Sequence, residues 1–149
     1  TLGSRLSEVS GNLIRLNLKD ILKGNFTLTE QSETKATFCG IIKKKDGHVN
    51  WEKETAQEIE RKIRAFTPWP GIFSFYKTKT KSDSRQRLTF TKAEIVKGNF
   101  DCGKIYPDMI IGALTDGLKI MYLKPEGKKE MDSESFLRGN AEILWSVLE

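Results

Sequence analysis

The chain has 149 residues, 38% of them hydrophobic and 30% charged, with a formal net charge of +5. That balance suits one globular domain with a small appendage and excludes a chain disordered throughout. No apolar run approaches the roughly 20 residues of a membrane-spanning helix, and Cys39 and Cys102, with no CxxC pair, fit a reducing cytosol.

The opening TLGSRLSEVS has neither the basic start nor the apolar core of a signal peptide, and no initiator Met. It reads as the beginning of a helix cut from something longer. Leu2, Leu6, Val9, Leu13 and Leu16 recur at steps of four and three, which predicts an amphipathic helix over residues 4–23. Ser4 is the expected cap, and Gly24 suits the left-handed position past the end. Residues 25–37 are polar and read as a linker. A short extended piece, Ala36 to Ile42, is expected next, then Lys43-Lys44-Lys45 and an Asp46-Gly47 turn.

Thr55 and Glu58 form a capping box for a second helix. Ala56, Ile59, Ile63 and Phe66 share one face of it, and Thr67-Pro68 ends it, because the residue before a proline avoids the helical region. From residue 72 the period falls to two. Residues 72–77 (IFSFYK) and 87–92 (RLTFTK) are expected strands around a basic turn. Further short strands are expected near 94–96, 104–106, 109–113 and 118–123, with Asp116-Gly117 as a hairpin turn. Asp132 caps a last helical turn that Gly139 ends. The tail Ile143-Leu144-Trp145 is apolar enough to dock. Five or six strands at this spacing give a mainly β fold with flanking helices, built as a small closed or nearly closed barrel after an amphipathic helix and linker.

Catalytic chemistry is hard to assemble here. His48, the single histidine, reads as an exposed loop residue. One His and two distant Cys make no ordinary zinc site, so no metal is expected. No Ser or Cys has a convincing base, and neither phosphate-binding glycine motif occurs. The charge is more informative. Residues 1–34 are net neutral, 35–67 carry +3, 68–104 carry +5 and 105–149 carry −3. A positive centre fits a polyanion partner or a solvated basic loop.

The most specific stretch is Ala36 to Phe75. It contains Ala36-Thr37-Phe38, Asp46-Gly47, Val49-Asn50-Trp51, Glu60-Arg61-Lys62-Ile63-Arg64-Ala65-Phe66 and Pro68-Trp69-Pro70-Gly71. Pro125-Glu126-Gly127-Lys128-Lys129-Glu130-Met131 and Phe136-Leu137-Arg138-Gly139 follow near the end. These motifs, at this spacing, resemble the carboxyl-terminal domain of the methionyl-tRNA formyltransferase family. The resemblance is vaguest from Lys77 to Gly103, and the tail after Gly139 departs from it. Trp51, Arg64, Phe66, Pro68, Trp69 and Pro70 are its structural motif residues, with Trp51 and Trp69 expected to pin the second helix to the barrel.

The resemblance implies two segments: residues 1–34 as the last helix of an upstream formyltransferase domain with its linker, and residues 35–149 as an oligonucleotide-binding-type (OB-like) barrel that holds tRNA. Family members transfer a formyl group from 10-formyltetrahydrofolate to methionine on initiator tRNA in the cytoplasm. Their Asn-x-His pair and Asp sit in the upstream domain, so this chain carries no expected catalytic residue and no cofactor of its own. The tRNA-binding candidates are Lys43, Lys44, Lys45, Lys77, Lys79, Lys81, Arg85, Arg87, Lys128 and Lys129. Two rivals stay open: the corresponding domain of an amino-sugar-nucleotide formyltransferase, and a free-standing nucleic-acid-binding barrel.

Overall fold

The computed structural model describes residues 1–77 and 85–149, in two compact units, Thr1–Cys39 and Gly40–Glu149. In the first unit the leucine stripe forms helix α1 (Leu2–Leu22). Its cap is Thr1 and not Ser4: the Thr1 hydroxyl accepts the Ser4 N–H at 3.3 Å. Gly24, at φ +74°, closes it in a Schellman turn, with Asn25 N–H to Asp20 O at 2.9 Å and Gly24 N–H to Ile21 O at 3.1 Å. None of the α1 side chains is buried.

The second unit holds helix α2 (Ala56–Phe66), six strands and helix α3 (Ser133–Gly139). The capping box of α2 is as expected. Glu58 N–H donates to the Thr55 hydroxyl (3.2 Å), and Thr55 N–H donates to the Glu58 carboxylate (2.9 Å). The strands are β1 (Ile72–Lys77), β2 (Arg85–Val96), β3 (Ile105–Tyr106), β4 (Ile110–Gly112), β5 (Gly117–Pro125) and β6 (Met131–Asp132). They pair antiparallel in the order β1-β2-β5-β4-β3, with β6 on β5.

The tail joins the two outer strands. Trp145 N–H bonds Ile105 O (2.7 Å), Ile105 N–H bonds Ser146 O (3.0 Å) and Leu148 N–H bonds Gly103 O (2.9 Å). Four residues past Trp145, Glu149 exchanges both main-chain hydrogen bonds with Phe75 at 2.9 Å. Residues 145–149 thus pair with β3 on one side and β1 on the other, satisfying edges that would otherwise stay open.

Inside lie Leu88 and Phe90 from β2, Ile111 from β4, Leu118, Ile120 and Leu123 from β5, the apolar face of α2, and Phe136 from α3. Trp51, 4% exposed, is edge-on to Phe90 at 5.9 Å and donates its indole N–H to the Ser74 hydroxyl at 3.0 Å. Ser74 in turn donates to Glu149 O at 2.6 Å. The buried polar side chain is therefore fully used, as a buried hydroxyl must be.

Several expectations need correction. Residues 36–42 join no strand, and Phe38 and Ile41 on them are exposed. The strands expected at 87–92 and 94–96 are one, β2, because register shifts around Lys92 absorb the break in alternation. The segment expected as a strand over 109–113 begins as a 3-10 turn (Pro107–Met109), with Asp108 and Met109 at positive φ. Trp69 does not pin the helix. It is 57% exposed, at the apex of a loop that Gly71 N–H closes onto Phe66 O at 2.9 Å.

Candidate nucleic-acid interface

Strand alternation sorts β1 into two faces. Ile72, Ser74 and Tyr76 are buried, so Phe73, Phe75 and Lys77 take the outer face. The register sets Phe75 opposite Arg87, Lys77 opposite Arg85 and Phe73 opposite Thr89. Phe73 is nonetheless 8% exposed, because the face is covered twice over. The Arg87 guanidinium lies 4.0 Å above its ring centroid, a favourable stacking geometry. From the other side comes the 3-10 turn Lys44–Gly47, with His48 bridged to Phe73.

That turn approaches closely because Gly47 has no Cβ; one placed there would sit 2.0 Å from Gly71 O. His48 is exposed, yet its ring packs 5.4 Å from Phe73 and 5.6 Å from Phe75, and its Nε2 is 3.0 Å from Glu149 O. Lys43, Lys44 and Lys45 precede it and are exposed; the Asp46 carboxylate accepts the Lys43 N–H at 2.7 Å and fixes the turn. On the far side Glu126 N–H bonds Arg87 O (3.0 Å), and Arg87 N–H reaches the Glu126 carboxylate (3.3 Å). This ties the Gly127-Lys128-Lys129 turn, both lysines exposed, to β2.

Eight of the sequence's ten basic candidates therefore stand on the outer face of β1 and β2 or on turns bonded to it: Lys43, Lys44, Lys45, Lys77, Arg85, Arg87, Lys128 and Lys129. Lys79 and Lys81 lie outside the described residues. Elsewhere among the described residues Lys62, Arg64, Lys97 and Lys104 are paired with Glu54, Glu60, Asp116 and Asp101. Arg64 thus serves the surface of α2, while Phe66 packs half-buried against the core.

Two of the eight are not free. Lys77 and Arg85 share the Glu149 carboxylate, at 3.1 and 2.7 Å. The hydrogen bond from Lys77, with the Arg85 charge behind it, holds that carboxyl below its ordinary range. Sequence reasoning missed Glu149, His48, Phe73 and Phe75. The two phenylalanines were legible, since alternation in IFSFYK places them beside Lys77; the His48 and Glu149 contacts cross 25 and about 75 residues of chain and carry no local signal.

Among the described residues no group of His, Cys, Asp and Glu could hold a metal ion, and no helix is long and apolar enough to cross a membrane.

Residues 41–141 match the family model described as formyl transferase, C-terminal domain. Among curated proteins the chain is 36% identical over 124 residues to a methionyl-tRNA formyltransferase of Treponema denticola, covering 76% of this chain and 37% of that protein. It is 31% identical over 153 residues to the one from Marinobacter nauticus (97% and 46%) and 32% identical over 142 residues to the one from Thermodesulfovibrio yellowstonii (93% and 43%). The chain spans less than half the length of these relatives. Among solved structures, a variant of HypX from Aquifex aeolicus has a TM-score of 0.56 at 17% identity, covering 87% of this chain and 23% of that one. HypX in complex with tetrahydrofolic acid scores 0.52 at 18% identity, over 85% and 22%. At those identities the likeness is one of fold.

Proposed function

Because the chain belongs to the formyl transferase carboxyl-terminal domain family, we propose that it is the carboxyl-terminal part of a methionyl-tRNA formyltransferase, and that its second unit grips initiator methionyl-tRNA. In this reading the parent moves a formyl group from 10-formyltetrahydrofolate to the methionyl amino group in the cytoplasm. The folate site and the catalytic groups belong to an upstream domain, of which residues 1–34 supply the last helix, α1, and its linker. The sheet, with its edges joined through residues 145–149, is a barrel of the oligonucleotide-binding type.

The observation that carries the proposal is the gathering of eight cations on the outer side of β1 and β2 and on the turns bonded to it, where Glu149 is the acid that pairs with two of them. Lysines on turns suit phosphates, which lie at a regular spacing and need charge more than shape. Such contacts give affinity with little sequence reading. The relatives' name supplies the polyanion: the proteins of Treponema denticola and Marinobacter nauticus are both called methionyl-tRNA formyltransferases.

The test is a salt titration of the 149-residue chain with initiator tRNA. If about six phosphates are neutralised, the logarithm of the affinity falls against the logarithm of salt with a slope of about −5. Charge reversal of Lys43, Lys44 and Lys45 together lowers that slope. A flat salt response rules out the phosphate grip. Purified chain mixed with 10-formyltetrahydrofolate and methionyl-tRNA gives no formylation; turnover there would place catalytic groups in this chain.

A further inference from the structure

We propose that the cleft between the 67–71 loop, β2 and the turn after β5 takes one unpaired nucleotide of the RNA; this rests on the tRNA reading above. The cleft has a volume of about 460 Å³, within the range of small-molecule sites. Its observation differs from the charge of the basic face, although Arg87 belongs to both. Among the described residues two buried side-chain atoms find no hydrogen-bond partner, Arg87 Nε and Thr91 Oγ1, and both residues line this cleft. Folding leaves such groups unsatisfied only at a cost, and a ligand that satisfies them recovers it.

The lining chooses the ligand. Pro68, Pro70 and Pro125 are apolar walls, while Lys124, Glu126 and Glu130 stand at the mouth. Within the cleft Glu126 and Glu130 stand against Arg87 and Lys124, so a bare anion inside it gains less than one held by the exposed lysine turns outside. A nucleobase edge fits better, since it carries donors and acceptors side by side. The guanidinium Nε–H and the Thr91 hydroxyl answer its acceptors, and the carboxylates answer its amino groups. The Arg87 plane is fixed on Phe73, so its Nε–H is held in place before any ligand arrives. Trp69, 57% exposed, does not line the cleft but lies in sequence between two prolines that do, so its indole is a stacking surface at the rim and not inside. This gives the exposed tryptophan of the Pro68-Trp69-Pro70 motif a role that pinning the helix does not.

The experiment titrates the full 149-residue chain, as wild type, Thr91→Val and Trp69→Ala, with a single-stranded RNA tetranucleotide, the four nucleoside 5′-monophosphates and initiator tRNA. Binding is followed by amide shifts and affinity, and each protein is melted. The wild type shows saturable shifts at Gly71 and Thr91 with at least one monophosphate. Thr91→Val melts higher, having lost a buried unpartnered hydroxyl, yet binds the tetranucleotide roughly tenfold more weakly. Trp69→Ala loses a similar factor without the rise in melting temperature. Unchanged tetranucleotide affinity in both variants, or shifts confined to other surfaces, overturns the proposal. If wild type and variants then hold tRNA with the same salt slope, the phosphate grip stands and only the nucleotide pocket fails. If no protein holds tRNA at low salt, both readings fail together.

Discussion

Gly47 sets how near the lysine-bearing turn comes to β1. Asp46-Gly47 announces a turn by composition alone, but the need for glycine is tertiary: a Cβ would meet Gly71 O at 2.0 Å and its carbonyl carbon at 3.2 Å. Both obstacles are backbone, so no side chain can rotate away. Gly47→Ala is expected to cost about 3 kcal/mol or more in urea denaturation, as overpacking against a rigid wall does. A loss below about 1 kcal/mol would mean that the turn simply shifts outward. Acid sensitivity belongs to the same scale. The Glu58 carboxyl sits below its ordinary value of 4.5 because Thr55 N–H and hydroxyl donate to its charged form. Asp132 sits below 3.8 because it accepts the Ser135 N–H at the start of α3. Each is a carboxyl whose folded pKa is depressed, so the stability it adds is complete above the unfolded value and drains as pH falls through the folded one. The urea midpoint should hold from neutrality down to about pH 4.5 and fall below that. Glu58→Gln should flatten the fall, and an unchanged slope in that variant would assign the acid sensitivity to other groups.

Helices α2 and α3 were legible because their signals are local: a capping box, an apolar face with steps of three and four, a capping Asp132. The β1 face was half legible. Period two separates Ile72, Ser74 and Tyr76 from Phe73, Phe75 and Lys77, but nothing local says that a turn near residue 47 and the tail near residue 149 will land on the outer set. The extended piece expected at 36–42 joins no sheet: no partner strand reaches it, and no local signal told that in advance. The tail changes what β1 and β2 can do as elements. Glu149 occupies Lys77 and Arg85 at 3.1 and 2.7 Å, as a phosphate would, so on the proposed reading RNA reaches them by displacing it. Glu149→Gln removes that competing charge while leaving the main-chain bonds to Phe75 in place. The variant should bind initiator tRNA several-fold more tightly at low salt, with a slope steeper by about one unit for each cation released. An identical slope would show that the hairpin cations take no part in binding.

For the whole molecule, the decisive feature is where the core ends. Every core residue lies between Val49 and Leu148, and none comes from the first unit. A protein of residues 40–149 should therefore unfold cooperatively with the urea midpoint of the full chain and, on the proposed reading, bind tRNA with the same salt slope. Removal of five residues at the other end should behave quite differently. Residues 145–149 bond Ile105 of β3 through Trp145 and Ser146, Gly103 just before it through Leu148, and Phe75 of β1 through Glu149. Leu148 is also a buried core residue, and Ser74, which takes the Trp51 indole N–H, gives its own proton to Glu149 O. Deleting residues 145–149 leaves two strand edges unpaired, a buried hydroxyl short of its acceptor and a gap beside Trp51. The expected loss exceeds about 3 kcal/mol, as for a cavity combined with an unsatisfied polar group, and exposed edges should make the shortened protein self-associate. The two truncations, melted side by side with sedimentation to count oligomers, separate the cases. Equal stability of the tail deletion and the full chain would mean that the sheet stands without its closing strand, and the barrel reading would go with it.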